Sequence, residues 1–137
     1  MGVAVKANIE TFLGAGEDVY CSDENMYIVK SKNVYDADTR MSFGKDTKIL
    51  KFSLDDGNIE FKAEADIEGG INNQFSMDEK DGYFRIATTD SDNWNSETNT
   101  NNLYVLDTNL SIVGSVQNLA KGEKICLHFC LHMRMMC

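Results

Sequence analysis

The densest set of metal-ligating side chains in this sequence lies near its end, at Cys126, His128, Cys130 and His132. Zinc prefers these residue types, and in a strand all four would lie on one face. Positions two apart on a strand are separated by roughly 6–7 Å, so at most two of them can reach one ion, with partners from elsewhere. We therefore assign no metal here and predict that residues 126–137 are an atypical, unstructured tail outside the main domain.

Oxygen ligands are concentrated in residues 90–102, where Asp90, Asp92 and Glu97 stand among several asparagines. Such side chains bind calcium, but this segment lacks the glycine and the terminal glutamate of the EF-hand loop. Because polar loops of this composition are commonly just solvated, we assign no calcium to it. Trp94, in its middle, is predicted to fold back as an apolar plug rather than to serve as an exposed contact.

The sequence offers no catalytic arrangement. Both histidines lie in the tail, so a Ser–His–Asp or Cys–His pair has no base within the domain. Paired carboxylates lie in predicted turns or on solvent faces, where acidic side chains normally lie. Arg85 stands within an apolar strand and is predicted to point outward or to pair with Asp78 or Asp81. We predict no catalytic residue and no cofactor.

Composition limits the class of partner. The 137 residues correspond to one domain, and 13 basic against 22 acidic residues give a net charge of −9. A negative chain repels nucleic-acid phosphates and anionic membranes. No run is apolar enough to span a bilayer, and the start lacks the apolar core of a signal peptide. We expect no nucleic acid partner, no membrane insertion and no targeting signal in this chain.

The clearest structural signal is a predicted hairpin around an acidic turn at 78–82. The turn ends in Asp-Gly, a pair suited to the positive φ of tight turns. The following residues alternate and place Phe84, Ile86 and Thr88 on one face, which is typical of a half-buried strand. Phe75 and Met77 alternate in the same way before the turn.

Further strands and turns follow from the same alternation. The segment 59–65 is apolar at odd positions and charged at even ones, which predicts one core face and one water face. Polar loops are predicted at 31–46 and 90–102. The other predicted strands are the start of the chain, 19–22, 26–30, 48–54, 103–106 and 112–116.

These elements pass twice through one pattern. Superimposing Ile49 on Leu103 gives an offset of 54 residues, within which four short strands fit. A repeat of roughly this length that carries four antiparallel strands indicates a β-propeller blade. We therefore predict an all-β fold of antiparallel four-stranded blades, a partial β-propeller of about two blades over residues 1–125.

The same residues resemble a known family. Residues 73–79, 84–89, 103–107 and 119–123 are similar to motifs of the bacterial and archaeal secreted β-propeller domain family, which is distantly similar to WD-repeat propellers. The resemblance covers roughly 9–125. It implies about two blades of a larger ring, a cell-surface or exported protein, and no established activity from which catalytic residues could be transferred.

We accordingly expect a non-enzymatic, cell-surface or secreted interaction module that binds a protein or a glycan through the propeller faces. One alternative is a structural spacer. Another is part of an enzyme whose catalytic residues lie on blades absent from this chain. Because two blades alone leave sheet faces and edges uncovered, we also expect self-association.

Overall fold

The computed structural model describes residues 18–40, 42–91 and 96–123 of the chain. This part contains short and long antiparallel strands and two single 3₁₀ turns, Gln74–Ser76 and Ser96–Thr98. The strands are β1 (Asp18–Cys21), β2 (Asn25–Tyr35), β3 (Ser42–Asp55), β4 (Asn58–Glu68), β5 (Gly70–Ile71), β6 (Met77–Lys80), β7 (Tyr83–Asp90), β8 (Thr100–Leu106) and β9 (Ile112–Leu119).

The strands form two antiparallel sheets in chain order. The first sheet has the order β1-β2-β3-β4. The second has the order β5-β7-β8-β9, and β6 pairs with β7 farther along the same edge. β5 and β6 lie one after the other along the same edge of β7, separated by a 3₁₀ turn, and together take the place of one strand. Each sheet is therefore a four-stranded unit. The predicted all-β fold of a partial propeller is confirmed.

An Asp-Gly hairpin turn is present at 81–82, as predicted, and also at 56–57, between the predicted strands 48–54 and 59–65. Asp56 and Gly57 have φ values of 46° and 81°, and Asp81 and Gly82 have 53° and 80°. Two consecutive positive φ angles define the type I′ turn, whose twist matches that of the strands it joins. The central turn is shorter than predicted, because residues 78–80 already belong to β6.

The main core lies between the two sheets. Phe84, Ile86 and Thr88 share one face of β7 and are fully buried, as predicted. They face the first sheet, whose Tyr27, Val29 and Ile49 close the other side. The buried apolar cluster consists of Tyr27, Val29, Ile49, Ile67, Met77, Phe84, Ile86, Tyr104, Leu106 and Leu110.

The predicted loop at 31–46 is wrong for most of its length. β2 continues to Tyr35 and β3 begins at Ser42. Their register holds from Asn25 with Ser53 out to Val34 with Gly44 and shifts by one residue at Tyr35, which pairs with Ser42. β4 joins β3 only from Asp46 onward. The outer part of this hairpin extends past β4, which explains why its sequence lacks an apolar face.

The predicted single core face of 59–65 is also wrong. The register of β3 against β4 shifts between Lys51, which pairs with Ala63, and Phe52, which pairs with Phe61. This β-bulge adds one residue, so the strand changes face at that point. Phe61 therefore packs edge-on against Phe52 on the opposite side of the first sheet, with 5.7 Å between ring centroids.

Side-chain hydroxyls fasten the connection between the sheets. Thr47 Oγ1 donates to the carbonyl of Gly69 at 2.6 Å, and Thr88 Oγ1 donates to that of Glu68 at 2.7 Å. In the second sheet, the buried Asn101 Nδ2 donates to the carbonyl of Glu123 at 2.9 Å. In each sheet, a polar side chain on the third strand therefore hydrogen-bonds to the segment by which the chain leaves that sheet.

The surfaces that face away from the core carry exposed apolar side chains, among them Ile59, Phe61, Tyr83 and Val116. Self-association through such uncovered faces stays a prediction. No helix in the described part of the chain has the length and hydropathy needed to cross a bilayer.

Candidate functional site

A polar cluster joins the two sheets at the edge of the core, and we name Asn25, Tyr27 and Glu79 the inter-sheet lock. Asn25 Nδ2 donates to both carboxylate oxygens of Glu79 at 3.1 Å. The Tyr27 hydroxyl donates to Oε2 of the same carboxylate at 2.5 Å. Because Asn25 and Tyr27 come from β2 and Glu79 from β6, these three bonds connect one sheet to the other.

Aromatic rings surround the lock. The Tyr27 ring stacks on Phe84 with 4.0 Å between centroids and an angle of 11° between planes. The Tyr20 ring contacts both rings, at 6.1 Å and 6.3 Å, and its hydroxyl accepts a hydrogen bond from the backbone N–H of Glu79. Lys51 Nζ, 5.7 Å from the Tyr27 ring centroid, donates to the carbonyl of Thr108 at 3.0 Å.

The lock is suited to structure rather than to reaction. Both Glu79 oxygens accept hydrogen bonds, and the fully buried Tyr27 side chain is stacked on another ring. Burial, reinforced by the neighbouring Glu79 carboxylate, raises the pKa of the Tyr27 hydroxyl well above its ordinary value of 10.0. The phenol therefore stays protonated and acts as a permanent donor.

This raised pKa predicts a loss of stability at alkaline pH. The unfolded chain releases the Tyr27 proton near pH 10, whereas the folded chain keeps it. The stabilisation is therefore complete below pH 10 and is lost as the pH rises above it. We expect about 1.4 kcal/mol of lost unfolding free energy per pH unit from this one group.

The measurement is urea unfolding between pH 9 and 11.5 for the native chain and for Tyr27→Phe. Burial also raises the pKa of Tyr104, so the variant should keep part of the slope, and the difference between the two curves reports Tyr27. Parallel curves would contradict the prediction.

A small groove opens beside the lock, where β1 of the first sheet meets the 3₁₀ turn Gln74–Ser76 of the second. It has a volume of about 230 Å³. We name it the edge groove; its lining residues are Val19, Tyr20, Cys21, Gln74, Phe75 and Met77. It differs from the lock in being open to solvent, so its lining side chains are accessible to a ligand.

The 3₁₀ turn presents an aromatic side chain in this groove. Asn73 caps the turn, since its Oδ1 accepts from the backbone N–H of Phe75 at 2.9 Å and its carbonyl accepts from that of Ser76. Phe75 is thereby held with half of its surface exposed, whereas Met77 is buried. The prediction that Phe75 and Met77 alternate within one strand is wrong, because the edge strand is interrupted between Ile71 and Met77.

Arg85 lies where one of the two predicted alternatives placed it. Its guanidinium forms a two-pronged ion pair with Asp78, in which Nε donates to Oδ1 at 2.7 Å and Nη2 donates to Oδ2. The two residues are partners in the β6–β7 register. The Asp78 hydrogen bonds raise the pKa of Arg85. The pairing with Asp78 is confirmed.

The predicted loop at 90–102 is described only in part. Thr100 already belongs to β8 and Ser96–Thr98 is a 3₁₀ turn. Asp92 and Trp94 lie outside the described residues, as does the tail with Cys126, His128, Cys130 and His132. Within the described ranges, no three Cys, His, Asp or Glu side chains lie close enough together to hold a metal ion.

Sequence reasoning missed both the lock and the groove. Glu79 was assigned to a solvated turn, and nothing near it in the chain indicates that its partner Asn25 lies 54 positions away. For the groove, the Asn72-Asn73 pair before Phe75 was the available signal, since asparagine favours caps and turns over strand interiors.

Comparisons with known proteins agree with this architecture. A model of the family described as "Beta propeller domain" matches residues 2–127. An uncharacterised protein of Methanocaldococcus jannaschii is 43% identical over 79 residues, which cover 58% of this chain and 12% of that protein. One of Archaeoglobus fulgidus is 40% identical over 79 residues, covering 58% and 11%. The match thus spans about an eighth of these relatives or less. No solved structure gives a significant match.

Proposed function

Since the chain belongs to the beta propeller domain family, we propose that it is a non-enzymatic interaction module that binds a protein or glycan partner through its edge groove. We also propose, from the family resemblance, that the protein acts at the cell surface or outside the cell. The observation that carries the binding proposal is the half-exposed Phe75, held in an open groove by a capped turn.

The position of the groove supports this proposal. It lies at the first strand of each sheet, and in a propeller the sheets are arranged around a central channel. Clefts of this kind, with an apolar wall and few polar groups, are common ligand sites. The Asn73 cap also holds the Phe75 backbone, so binding orders only the Phe75 side chain and costs little conformational freedom.

The non-enzymatic part of the proposal rests on the lock. The Glu79 carboxylate beside the groove accepts hydrogen bonds from the Tyr27 hydroxyl and the Asn25 amide across the sheet interface. Because these groups are engaged in joining the sheets, we propose that the groove binds a ligand without catalysing a reaction on it. A ligand should therefore leave it chemically unchanged.

We expect Phe75→Ala to weaken ligand binding about tenfold, because a stacked aromatic contact contributes on the order of 1.4 kcal/mol. A phage-displayed peptide library and a glycan array supply the probes, and titration calorimetry measures the affinity of each hit. Tyr35→Ala is the matched control, since Tyr35 is also an exposed aromatic residue but lies far along the chain at the end of β2.

Mass spectrometry of the ligand after prolonged incubation tests the absence of turnover. If the native chain and Phe75→Ala bind every ligand with equal affinity, the groove is not the binding site. If the ligand is chemically converted, the protein is not a non-enzymatic module. Absence of any saturable ligand would favour a structural spacer.

A further inference from the structure

We propose that the edge groove binds an uncharged polyhydroxylated ligand, a neutral carbohydrate ring. This inference rests on the proposed binding function and names the ligand class for that groove. It follows from which side chains line the groove and from what those side chains offer.

The first observation is that the described side chains lining the groove carry no charge. Charged residues make up 26% of the chain, yet the six lining residues within the described part of the chain are all uncharged. A charged ligand would meet no counter-charge among these side chains, so its charge would add nothing to binding there. The net charge of −9 adds a general repulsion of anions. The groove therefore favours a neutral ligand over a phosphate, a uronic acid or an acidic peptide.

The second observation is the combination of rings with an amide. Phe75 and Tyr20 supply flat apolar surfaces, and Gln74 lies between Phe75 and the cap residue Asn73. The Gln74 side chain makes no hydrogen bond within the described part of the chain, and an amide offers both donors and an acceptor. A sugar ring has a C–H face for the aromatic surface and hydroxyls that use donors and acceptors together. A ligand that enters the groove with only an apolar side chain would make no hydrogen bond to the Gln74 amide.

The third observation is size and rigidity. At about 230 Å³ the groove is smaller than the roughly 300–1,000 Å³ of sites for drug-sized ligands, so it suits one ring of a longer chain. One wall is held by ring contacts, since Tyr20 contacts the rings of Tyr27 and Phe84. On the other wall the Asn73 cap fixes the backbone of Phe75.

The test uses the full 137-residue chain with four neutral oligosaccharides (maltohexaose, cellohexaose, chitohexaose and mannohexaose) and hexagalacturonate as the charged control. Saturation-transfer NMR detects binding. Iodoacetamide labelling of Cys21, which is exposed and lines the groove, locates it through protection read at the peptide level. We expect at least one neutral sugar to bind and to slow labelling of Cys21, and hexagalacturonate to do neither.

Two substitutions separate this inference from the proposed function. Phe75→Ala should weaken binding of any groove ligand about tenfold. Gln74→Leu keeps the bulk but removes the amide, so it should weaken a sugar about tenfold and leave an apolar peptide unchanged or tighter. If only a peptide binds, dependent on Phe75 and indifferent to Gln74, the carbohydrate inference is overturned and the binding function stands. If no probe depends on Phe75, both fail.

Discussion

Replacing Glu79 with alanine is expected to lower the free energy of unfolding by about 3 kcal/mol. Both carboxylate oxygens accept a hydrogen bond from the Asn25 amide, and Oε2 accepts a further one from the Tyr27 hydroxyl. Removing it leaves a fully buried phenol and an amide of the other sheet without their acceptor. Hydrogen bonds to a charged group are also stronger than neutral ones, so their loss costs more.

Glu64→Ala is the matched control for this prediction. Glu64 is also a strand glutamate, and its Oε1 lies 3.2 Å from Lys48 Nζ, but the two side chains are 53% and 37% exposed. Exposed ion pairs contribute little, so we expect a change below about 0.5 kcal/mol. Glu79→Gln, which keeps an acceptor for Tyr27, should fall between the two. Urea unfolding measures all three, and equal stability of the two alanine variants would show that the lock does not join the sheets.

Local patterns in the sequence predicted what local physics determines. An Asp-Gly pair between alternating segments fixes a type I′ turn, because few other residues accept two consecutive positive φ angles. The alternation of Phe84, Ile86 and Thr88 likewise places these three side chains on one buried face of β7, although Ala87 and Thr89 on the other face are buried as well. Both features depend on neighbours within a few residues, and both are confirmed.

The errors arose where distant contacts decide the structure. Residues 31–35 are strand because they pair with the far end of β3, although their composition is that of a loop. Phe61 changes face because one extra residue enters β4 opposite Lys51 and Phe52. Periodicity within one strand records neither the length of the neighbouring strand nor a bulge against it.

The candidate site was beyond the sequence for the same reason. The groove requires β1 to lie beside the 3₁₀ turn Gln74–Ser76, more than fifty residues later. It also requires the edge strand to break, so that Phe75 is exposed instead of pairing with β7. Propensity favoured a continuous strand there, and the asparagine cap overrode it.

The second large effect on the free energy of unfolding is expected at Gly69, in the connection between the sheets. Gly69 has a φ of +86°, and a Cβ added there would lie 2.6 Å from Thr88 Oγ1 and 3.1 Å from the backbone carbon of Thr89. Thr88 is fully buried, and its Oγ1 donates to the Glu68 carbonyl, so it cannot easily move. We expect Gly69→Ala to cost about 3–4 kcal/mol, from the unfavourable backbone and the overlap together.

Gly57→Ala separates the two contributions, because Gly57 has a φ of +81° but open space around the added Cβ. It should cost only about 1 kcal/mol. Thr88→Ala in the Gly69→Ala background removes Oγ1, the nearest overlapping atom, and leaves Thr88 Cβ at 2.9 Å from the new methyl group. We therefore expect the double variant to be about 1–2 kcal/mol more stable than the sum of the single effects. Urea unfolding measures these changes. If Gly69→Ala and Gly57→Ala lower the free energy of unfolding equally, the connection between the sheets adjusts to make room for the added methyl group, and the prediction is wrong.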